Sequence, residues 1–269
     1  MNSVDLVEKE ISFSGQNNEQ EYFAFHRNRY ARFASFLEKE FGQRLPSEKL
    51  SVLDIGSHYL HSSMVLSHMG FSVDGMDVEE FWNLPFVAKR GEKFGINPIL
   101  ENDLAHLPRF QNISDRYDLI VFTEIFEHIT FNPIQLWKTL YQILKPGGMI
   151  YISTPNALAL GSLVRSFKNL VSLKSIGITV DDIFSKVTYG HHWKEYTPRE
   201  IKSYFHQLST DFEVEIHPYH YKNYELKPPF LVFKALSRLG NLTKTFADDL
   251  EVVVKLPQKK SWKIKPPTY

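Results

Sequence analysis

Short apolar runs alternate with longer amphipathic stretches through the middle of the chain. The runs fall at 50–55, 71–76, 98–100, 119–122 and 149–153, of strand length and more uniformly apolar than a sheet with one wet face requires. Between them, residues 58–69, 86–94 and 132–144 read as helices. In the last, Ile134, Leu136, Trp137, Leu140, Ile143 and Leu144 recur at helical spacing. Gly70, Gly95 and Pro146-Gly147-Gly148 mark the helix ends. Strands separated by helices predict an α/β domain with a largely parallel, doubly wound sheet covered on both faces.

Around this centre the pattern changes. Phe23, Tyr30, Phe33, Phe36 and Leu37 place an amphipathic helix over 20–40, with Arg27, Arg29 and Arg32 among them, while the polar residues 1–18 predict a loose arm. Beyond Asn156 the alternation breaks, and an insertion at the carboxyl edge of a strand is where a lid belongs. Thr197 with Glu200 three residues on reads as a capping box. A helix near 230–239 and strands at 212–217 and 250–255 complete the chain. The expected organisation is an amino-terminal arm and helix over 1–47 and a main domain over 48–269, with a lid or cap at 157–196.

Composition narrows the partners. Of 269 residues, 31 are Lys or Arg and 31 Asp or Glu, so no global field draws nucleic acid or anionic lipid. A local excess, Lys255, Lys259, Lys260, Lys263 and Lys265, reads as a solvated basic tail. The chain contains no cysteine, which excludes disulfides, thiolate metal sites and cysteine nucleophiles. No run of roughly 18 apolar residues occurs, so no membrane span is expected. A charged amino terminus does not resemble a signal peptide, and the expected location is the cytoplasm. Oligomeric state is not legible.

The candidate chemistry sits where strands end. In open α/β sheets ligands bind beyond the carboxyl ends of the strands, where strand order reverses. Asp54-Ile55-Gly56 closes the first strand, and a glycine there lets the backbone approach a ligand. Twenty-one positions later Asp77 ends the second strand, where a carboxylate can accept from both hydroxyls of a ribose or, more blandly, cap a helix. Gly-x-Gly-x-x-Gly is absent, because His58 and Leu60 stand where further glycines belong, which argues against a dinucleotide. Asp103 can accept from an adenine amino group with Leu104 beside the ring, or simply close a turn. Glu124 lies nearest the end of the fourth strand and faces cofactor or substrate; Glu127-His128 reads more simply as capping the following helix.

These pieces together resemble the class I S-adenosylmethionine (SAM)-dependent methyltransferases, in the small-molecule branch of ubiquinone and polyketide methylating enzymes. The resemblance rests on Val52-Leu53-Asp54-Ile55-Gly56, Gly75-Met76-Asp77, Asn102-Asp103, the stretch from Tyr117 to His128, Leu144-Lys145-Pro146-Gly147-Gly148 and Ser153-Thr154-Pro155-Asn156, in family order over about 48–156. A weaker match runs from His191 to Pro198. It implies a Rossmann-like seven-stranded sheet in the order 3-2-1-4-5-7-6 with the last strand antiparallel, and SAM as cofactor. Asp54, Gly56 and Ser57 would then lie along the methionine part, Asp77 and Val78 at the ribose, and Asp103 and Leu104 at the adenine, with Glu124 lining the site. The first loop departs from the family, carrying Ser57, His58, Tyr59 and Leu60 in place of glycines.

Acceptor contacts are expected from Tyr22 and His26 on the first helix and from His128, Asn156, Trp193 and Tyr196. His191 and His192 are candidate general bases, against the plainer reading of histidines packed at a lid hinge. His58 and His61 lack acidic companions at ligand spacing, so no metal site is expected. The function read from the chain is methyl transfer from SAM to an oxygen or nitrogen of a small molecule: a sugar, a lipid-linked compound or a secondary metabolite. The rival is a catalytically degenerate domain of the same fold that binds a partner. Tyr59 and His61 discriminate the two, by pointing into the methionine pocket or away from it.

Overall fold

The computed structural model describes residues 2–173, 178, 180–185, 191–220 and 230–267. Helices α1 (Ser3–Ser12) and α2 (Asn17–Phe41) precede β1 (Ser51–Ile55), α3 (His61–His68), β2 (Ser72–Asp77), α4 (Glu79–Trp82), α5 (Pro85–Phe94) and β3 (Asn97–Leu100). Then follow β4 (Tyr117–Thr123), α6 (Ile134–Ile143), β5 (Leu144–Pro155), α7 (Leu160–Val171), α8 (Val180–Ser185), α9 (Pro198–Leu208), β6 (Glu213–Tyr219), α10 (Phe230–Thr243) and β7 (Asp249–Leu256). The strands form one seven-stranded sheet, β3-β2-β1-β4-β5-β7-β6. β1, β2 and β3 run parallel, and β7 runs antiparallel to β6 in a register from Glu213–Lys255 to Tyr219–Asp249. This is the order that the resemblance implies.

The described residues fall into two compact units: 2–121 with 139–149, and 122–138 with 150–220 and 230–267. In the first, Val52, Leu53 and Leu119 to Val121 are sealed from solvent, as strands covered on both faces must be. Polar pins gather near the amino ends of its strands. Asp74 accepts from Tyr117 Oη at 2.6 Å and from Asn97 Nδ2 at 3.0 Å, while Asp118 accepts from the Ser51 amide at 2.9 Å and from Lys145 Nζ at 2.8 Å. In the second unit an aromatic cluster joins α9 to the segment after β4: Phe126 stacks on Tyr196 at 4.5 Å, and Trp137 donates to Tyr204 Oη at 2.7 Å. The capping box at Thr197 and Glu200 is present in full.

Three expectations are corrected. Residues 1–18 are not a loose arm: α1 is capped by Asn2 and buries Val4, Val7 and Ile11. That i, i+3, i+7 stripe is diluted by Asp5, Glu8, Lys9 and Glu10, which hides it in the sequence. The helix foreseen at 58–69 starts only at His61, because the chain up to Leu60 forms the loop after β1. Pro146 and the glycines after it do not form a connection; they lie inside β5, which runs from Leu144 to Pro155. Within the expected lid, 174–177, 179 and 186–190 lie outside the described residues.

The first unit is tied together by a buried charge cluster. Glu19 of α2, 1% exposed, accepts from Arg90 of α5 at 2.6 Å and lies 2.8 Å from His61 Nε2 of α3. His61 Nδ1 lies 3.2 Å from Tyr30 Oη, and Arg90 also donates to the Tyr59 carbonyl at 2.8 Å. Burial pushes the Glu19 carboxyl up, but bonds from His61 and Arg90 outweigh it and bring the pKa to about 2. Its stabilisation is therefore complete above the ordinary carboxylate range and fades as pH falls towards 2. Glu19→Ala leaves the Arg90 guanidinium buried without its carboxylate and should cost about 3–5 kcal/mol in urea unfolding at pH 7. A loss under about 1 kcal/mol would show that the cluster contributes nothing beyond packing.

Candidate active site

The loop after β1 keeps the backbone path that glycines usually provide, although it holds one. Gly56, His58 and Leu60 all have positive φ, at 72°, 47° and 67°. For His58 and Leu60 that conformation costs roughly 1–2 kcal/mol each. Leu60 is sealed from solvent, and the His58 ring packs against Tyr59 at 3.7 Å, Phe81 at 4.4 Å and Tyr22 at 5.8 Å. The Gly56 and Ser57 amides both donate to the Met76 carbonyl, at 2.9 and 3.1 Å, locking the loop to the end of β2. Of the two discriminating side chains, His61 lies in the Glu19–Arg90 cluster, and Tyr59 packs on Phe81 and Phe86 at 6.0 and 5.4 Å.

Asp77 ends β2 beside this loop. Its Oδ2 accepts from the His58 amide at 2.6 Å and its Oδ1 from the Val78 amide at 2.8 Å. Burial raises its pKa, and the two amides partly counter that. Each oxygen keeps a second lone pair for a ligand hydroxyl. At the end of β1, Asp54 Oδ2 accepts from Ser63 Oγ at 2.5 Å, while Asp54 Oδ1 and Ser57 Oγ are buried with no protein partner. Burial drives the Asp54 pKa to about 7, and burial lowers that of His58 to about 4. Gly56, Asp77 and the unfilled Asp54 and Ser57 oxygens suit a ligand with hydroxyl and ammonium groups, as a sulfonium nucleoside amino acid has.

Other expected cofactor and acceptor residues are engaged locally. Asp103 is half exposed; it accepts from the His106 amide at 3.1 Å and lies 2.9 Å from the His106 ring, closing the turn that carries Leu104. Asn156 is sealed from solvent: its Nδ2 donates to the Thr245 and Ala247 carbonyls at 3.0 and 2.7 Å, and its Oδ1 accepts from the Leu158 amide at 3.0 Å. That leaves its amide occupied by backbone. Tyr22 stacks against His26 at 4.3 Å and accepts from Arg29 at 3.3 Å. Tyr196 bridges in parallel to Asn156 while its ring lies on Phe126.

In the second unit the segment after β4 gathers a second polar group. Glu124 adopts a positive φ of 55°; its amide donates to the Ser153 carbonyl at 2.8 Å and its carboxylate accepts from Ser153 Oγ at 2.9 Å. Glu127, fully buried, accepts from Thr154 Oγ1 at 2.8 Å through Oε2, and Oε1 has no hydrogen-bond partner. Burial raises its pKa well above the ordinary value, helped by the Glu124 charge. The Glu127 carbonyl accepts the Trp193 amide at 2.8 Å.

His128 Nδ1 lies 2.8 Å from the His191 carbonyl. A carbonyl only accepts, so Nδ1 carries the proton and Nε2 keeps its lone pair. Burial lowers the His128 pKa, which favours that neutral form. Nε2 stands 3.8 Å from Glu127 Oε1, and the His192 ring lies 5.0 Å from His128. His192 Nδ1 pairs with Glu195 at 3.1 Å. Of the two expected bases, His192 joins this group, whereas His191 is buried with its ring against Trp193 at 5.7 Å and contributes its carbonyl.

Ligand atoms of Glu127, His128 and His192 lie within 4.8 Å of one another, a donor set that suits a divalent cation. A second such group is His220, Asp248 and Asp249. Sequence reading, which weighed only His58 and His61 for metal, singled out neither.

A seven-stranded sheet in this order, with a glycine turn after β1 and an acid ending β2, is the architecture of class I SAM-dependent methyltransferases. A family profile described as a methyltransferase domain matches residues 25–215, and the chain belongs to that family, whose cofactor is SAM. Ubiquinone biosynthesis O-methyltransferase from Dictyostelium discoideum, a mitochondrial protein, is 30% identical over 171 residues, covering 60% of this chain and 50% of that protein. The enzyme of the same name from Caulobacter vibrioides is 26% identical over 173 residues, 62% of each. The chain thus matches about half to three fifths of the length of these relatives. Among solved structures, the carbon methyltransferase CurJ aligns with a TM-score of 0.56 at 16% identity, over 96% of this chain and 62% of that one. A plantazolicin methyltransferase solved with S-adenosylhomocysteine aligns at 0.54 and 19%, over 95% of each. At those identities the likeness is one of fold.

Asp54 supplies a direct check on the electrostatics of the β1 end. A carboxyl with a raised folded pKa holds its proton more tightly in the folded state, so its contribution is greatest in acid and is lost as pH rises from about 4 to about 7. Asp54→Asn lacks that titration. In ligand-free protein, its stability relative to the parent chain should improve from pH 5 to pH 8, by up to about 1.4 kcal/mol per pH unit within the window. A difference independent of pH would place the Asp54 pKa near its ordinary value.

Proposed function

We propose that this protein transfers the methyl group of SAM to an oxygen or nitrogen of a small-molecule acceptor. The observation that carries this reading is the β1–β2 end, where a loop in a glycine-like path presents Gly56 next to an Asp77 carboxylate fixed by two amides. Asp77 would hold the ribose hydroxyls, with Val78 beside it. Gly56 and Ser57 would meet the methionine part, and Leu104 the adenine. Asp103 would reach the adenine only by releasing His106. SAM supplies a methyl group already activated on a sulfonium sulfur.

The chain's own contribution is then alignment, exclusion of water and removal of a proton. His128 is the group built for the last task. Its Nε2 lone pair, aimed by the Nδ1 hydrogen bond to the His191 carbonyl, takes the proton of an acceptor hydroxyl or amine. Glu127 and His192 flank it. The names of the ubiquinone O-methyltransferases support an oxygen acceptor, and the balanced charge of the chain supports a small molecule over a nucleic acid. A sugar, a lipid-linked compound or a secondary metabolite fits equally. The described part of 157–196 is proposed as the cap over that acceptor. One observation favours the rival, non-catalytic reading: the loop after β1 carries the bulky His58 ring, packed against Tyr59 and Phe81, where the family has glycine.

Calorimetric titration with SAM and S-adenosylhomocysteine separates the two readings. Micromolar binding of both supports catalysis, and no heat from folded protein supports the degenerate domain. Asp77→Ala should weaken SAM binding by about 1–3 kcal/mol, the scale of a lost charged hydrogen-bond partner; unaltered affinity would move the ribose elsewhere. His128→Ala should leave SAM affinity intact and slow turnover by roughly 10²–10⁴-fold, whereas turnover within a factor of two of the parent would remove His128 from proton transfer.

A further inference from the structure

Two helices of the second unit are built inside out. On α7, Leu160, Leu163, Val164, Phe167, Leu170 and Val171 fall within an arc of about 120° at 100° per residue. Five of these six are exposed, Phe167 at 69% and Val171 at 68%, while the polar Ser162, Ser166 and Asn169 of the same helix are only half exposed. On α10, Leu231, Val232, Leu239 and Leu242 share one stripe and are exposed, Leu242 at 81%, whereas Ser237 is buried and donates to Asp248 at 2.5 Å. A helix in water normally does the reverse.

The two helices are neighbours. A side chain at Gly161 would stand 3.6 Å from the Phe233 ring, and the Arg165 guanidinium lies 5.6 Å from the centre of that ring. The Leu160 amide donates to the Phe246 carbonyl at 3.2 Å. Their charge is one-sided. Residues 160–173 and 230–246 hold Arg165, Lys168, Lys234, Arg238 and Lys244 and no Asp or Glu, although the chain as a whole has acids and bases in equal number. Asp181 and Asp182 belong to α8, outside this pair.

We propose that the α7–α10 face binds the surface of an anionic lipid bilayer, lying in its plane without crossing it. An exposed apolar stripe flanked only by Lys and Arg is the composition of an interfacial helix: the apolar residues enter the acyl boundary and the cations meet lipid phosphates. Helices of 12 and 14 residues reach about 18–21 Å, short of the roughly 30 Å hydrocarbon core, and among the described residues no helix is long and apolar enough to span. A protein partner would need an apolar groove rimmed by acids. A second copy of the chain would have to set the five cations of each protomer against those of the other. The charge therefore selects lipid. Nothing in this inference depends on SAM binding or on turnover.

Sedimentation of the full chain with vesicles tests it. The protein should pellet with vesicles of phosphatidylglycerol and phosphatidylcholine, bind pure phosphatidylcholine at least about ten-fold more weakly, and be released from the anionic vesicles by high salt. The double variant Phe167→Glu, Leu242→Glu should lose anionic-vesicle binding by at least about ten-fold, with its melting temperature and far-ultraviolet dichroism kept as proof of folding. Should it fail to fold, Lys168→Glu with Arg238→Glu reads the same face and should also weaken binding. The proposal is overturned by absence of vesicle binding, by equal binding of variant and parent, or by a dimer in sedimentation equilibrium that these substitutions disperse while vesicle binding is unchanged.

Discussion

One buried carboxylate sets the geometry on which the loop after β1 depends. Glu19 enters from the first turns of α2 and meets Arg90 of α5 and His61 of α3 out of reach of water. None of the three can leave without stranding a polar partner, so the helices keep their relation to one another. Arg90 carries the constraint one step further, to the Tyr59 carbonyl within the loop after β1. The loop is thus held at Tyr59 by the cluster and at Gly56 and Ser57 by the Met76 carbonyl.

That double anchoring explains how a loop with a single glycine follows a path that favours three. The positive φ of His58 and Leu60 is unfavourable for L-residues, and burial of Leu60 and the aromatic cage of His58 offset the cost. The product is a His58 amide aimed at Asp77 Oδ2. A more flexible glycine loop would leave the orientation of this acid to the ligand; here it is set before any ligand arrives, which reduces the ordering that binding must supply. The bulky side chains of the loop are themselves packed against protein: Leu60 is sealed from solvent, and the His58 ring lies on Tyr59 and Phe81. His61 and Tyr59 point into neighbouring helices.

The strands were legible because apolar runs buried on both faces have few alternative structures, whereas their order was implied only by the family resemblance. The positions of Gly56 and Asp77 were legible for a related reason: a strand end has a fixed address in the sheet. Side-chain roles set by tertiary partners were not. Asp103 and Asn156 are occupied by hydrogen bonds to protein: Asp103 closes a turn with His106, as Asp readily does, and Asn156 is held by the distant Thr245 and Ala247 carbonyls as well as the Leu158 amide. Glu19 looked like one more acid in a polar stretch, and its importance arises only from Arg90, 71 residues away. His128 and His192 are likewise brought together by tertiary structure. The pairing of Glu127 with His128 carried a signal, since a glutamate next to a histidine after a strand is a familiar polar site, but helix capping was the simpler reading. The amino-terminal helix escaped because its stripe of three apolar residues is outnumbered by charges.

The titrating groups at the strand ends lean one way, unlike Glu19. Burial raises Asp54, Asp77 and Glu127 and lowers His58 and His128. In each case the uncharged form gains, which means that these strand ends solvate charge poorly before a ligand is present. A cationic sulfonium transferring its methyl group to a neutral nucleophile spreads its charge in the transition state, and a weakly solvating environment favours spread charge over concentrated charge. The same environment favours the neutral form of His128, so under the proposed reading a proton acceptor there needs no prior ionisation. Desolvation is thus the common cause of these shifts, and under the proposed reading it would serve both a neutral base and the transfer of a sulfonium methyl group.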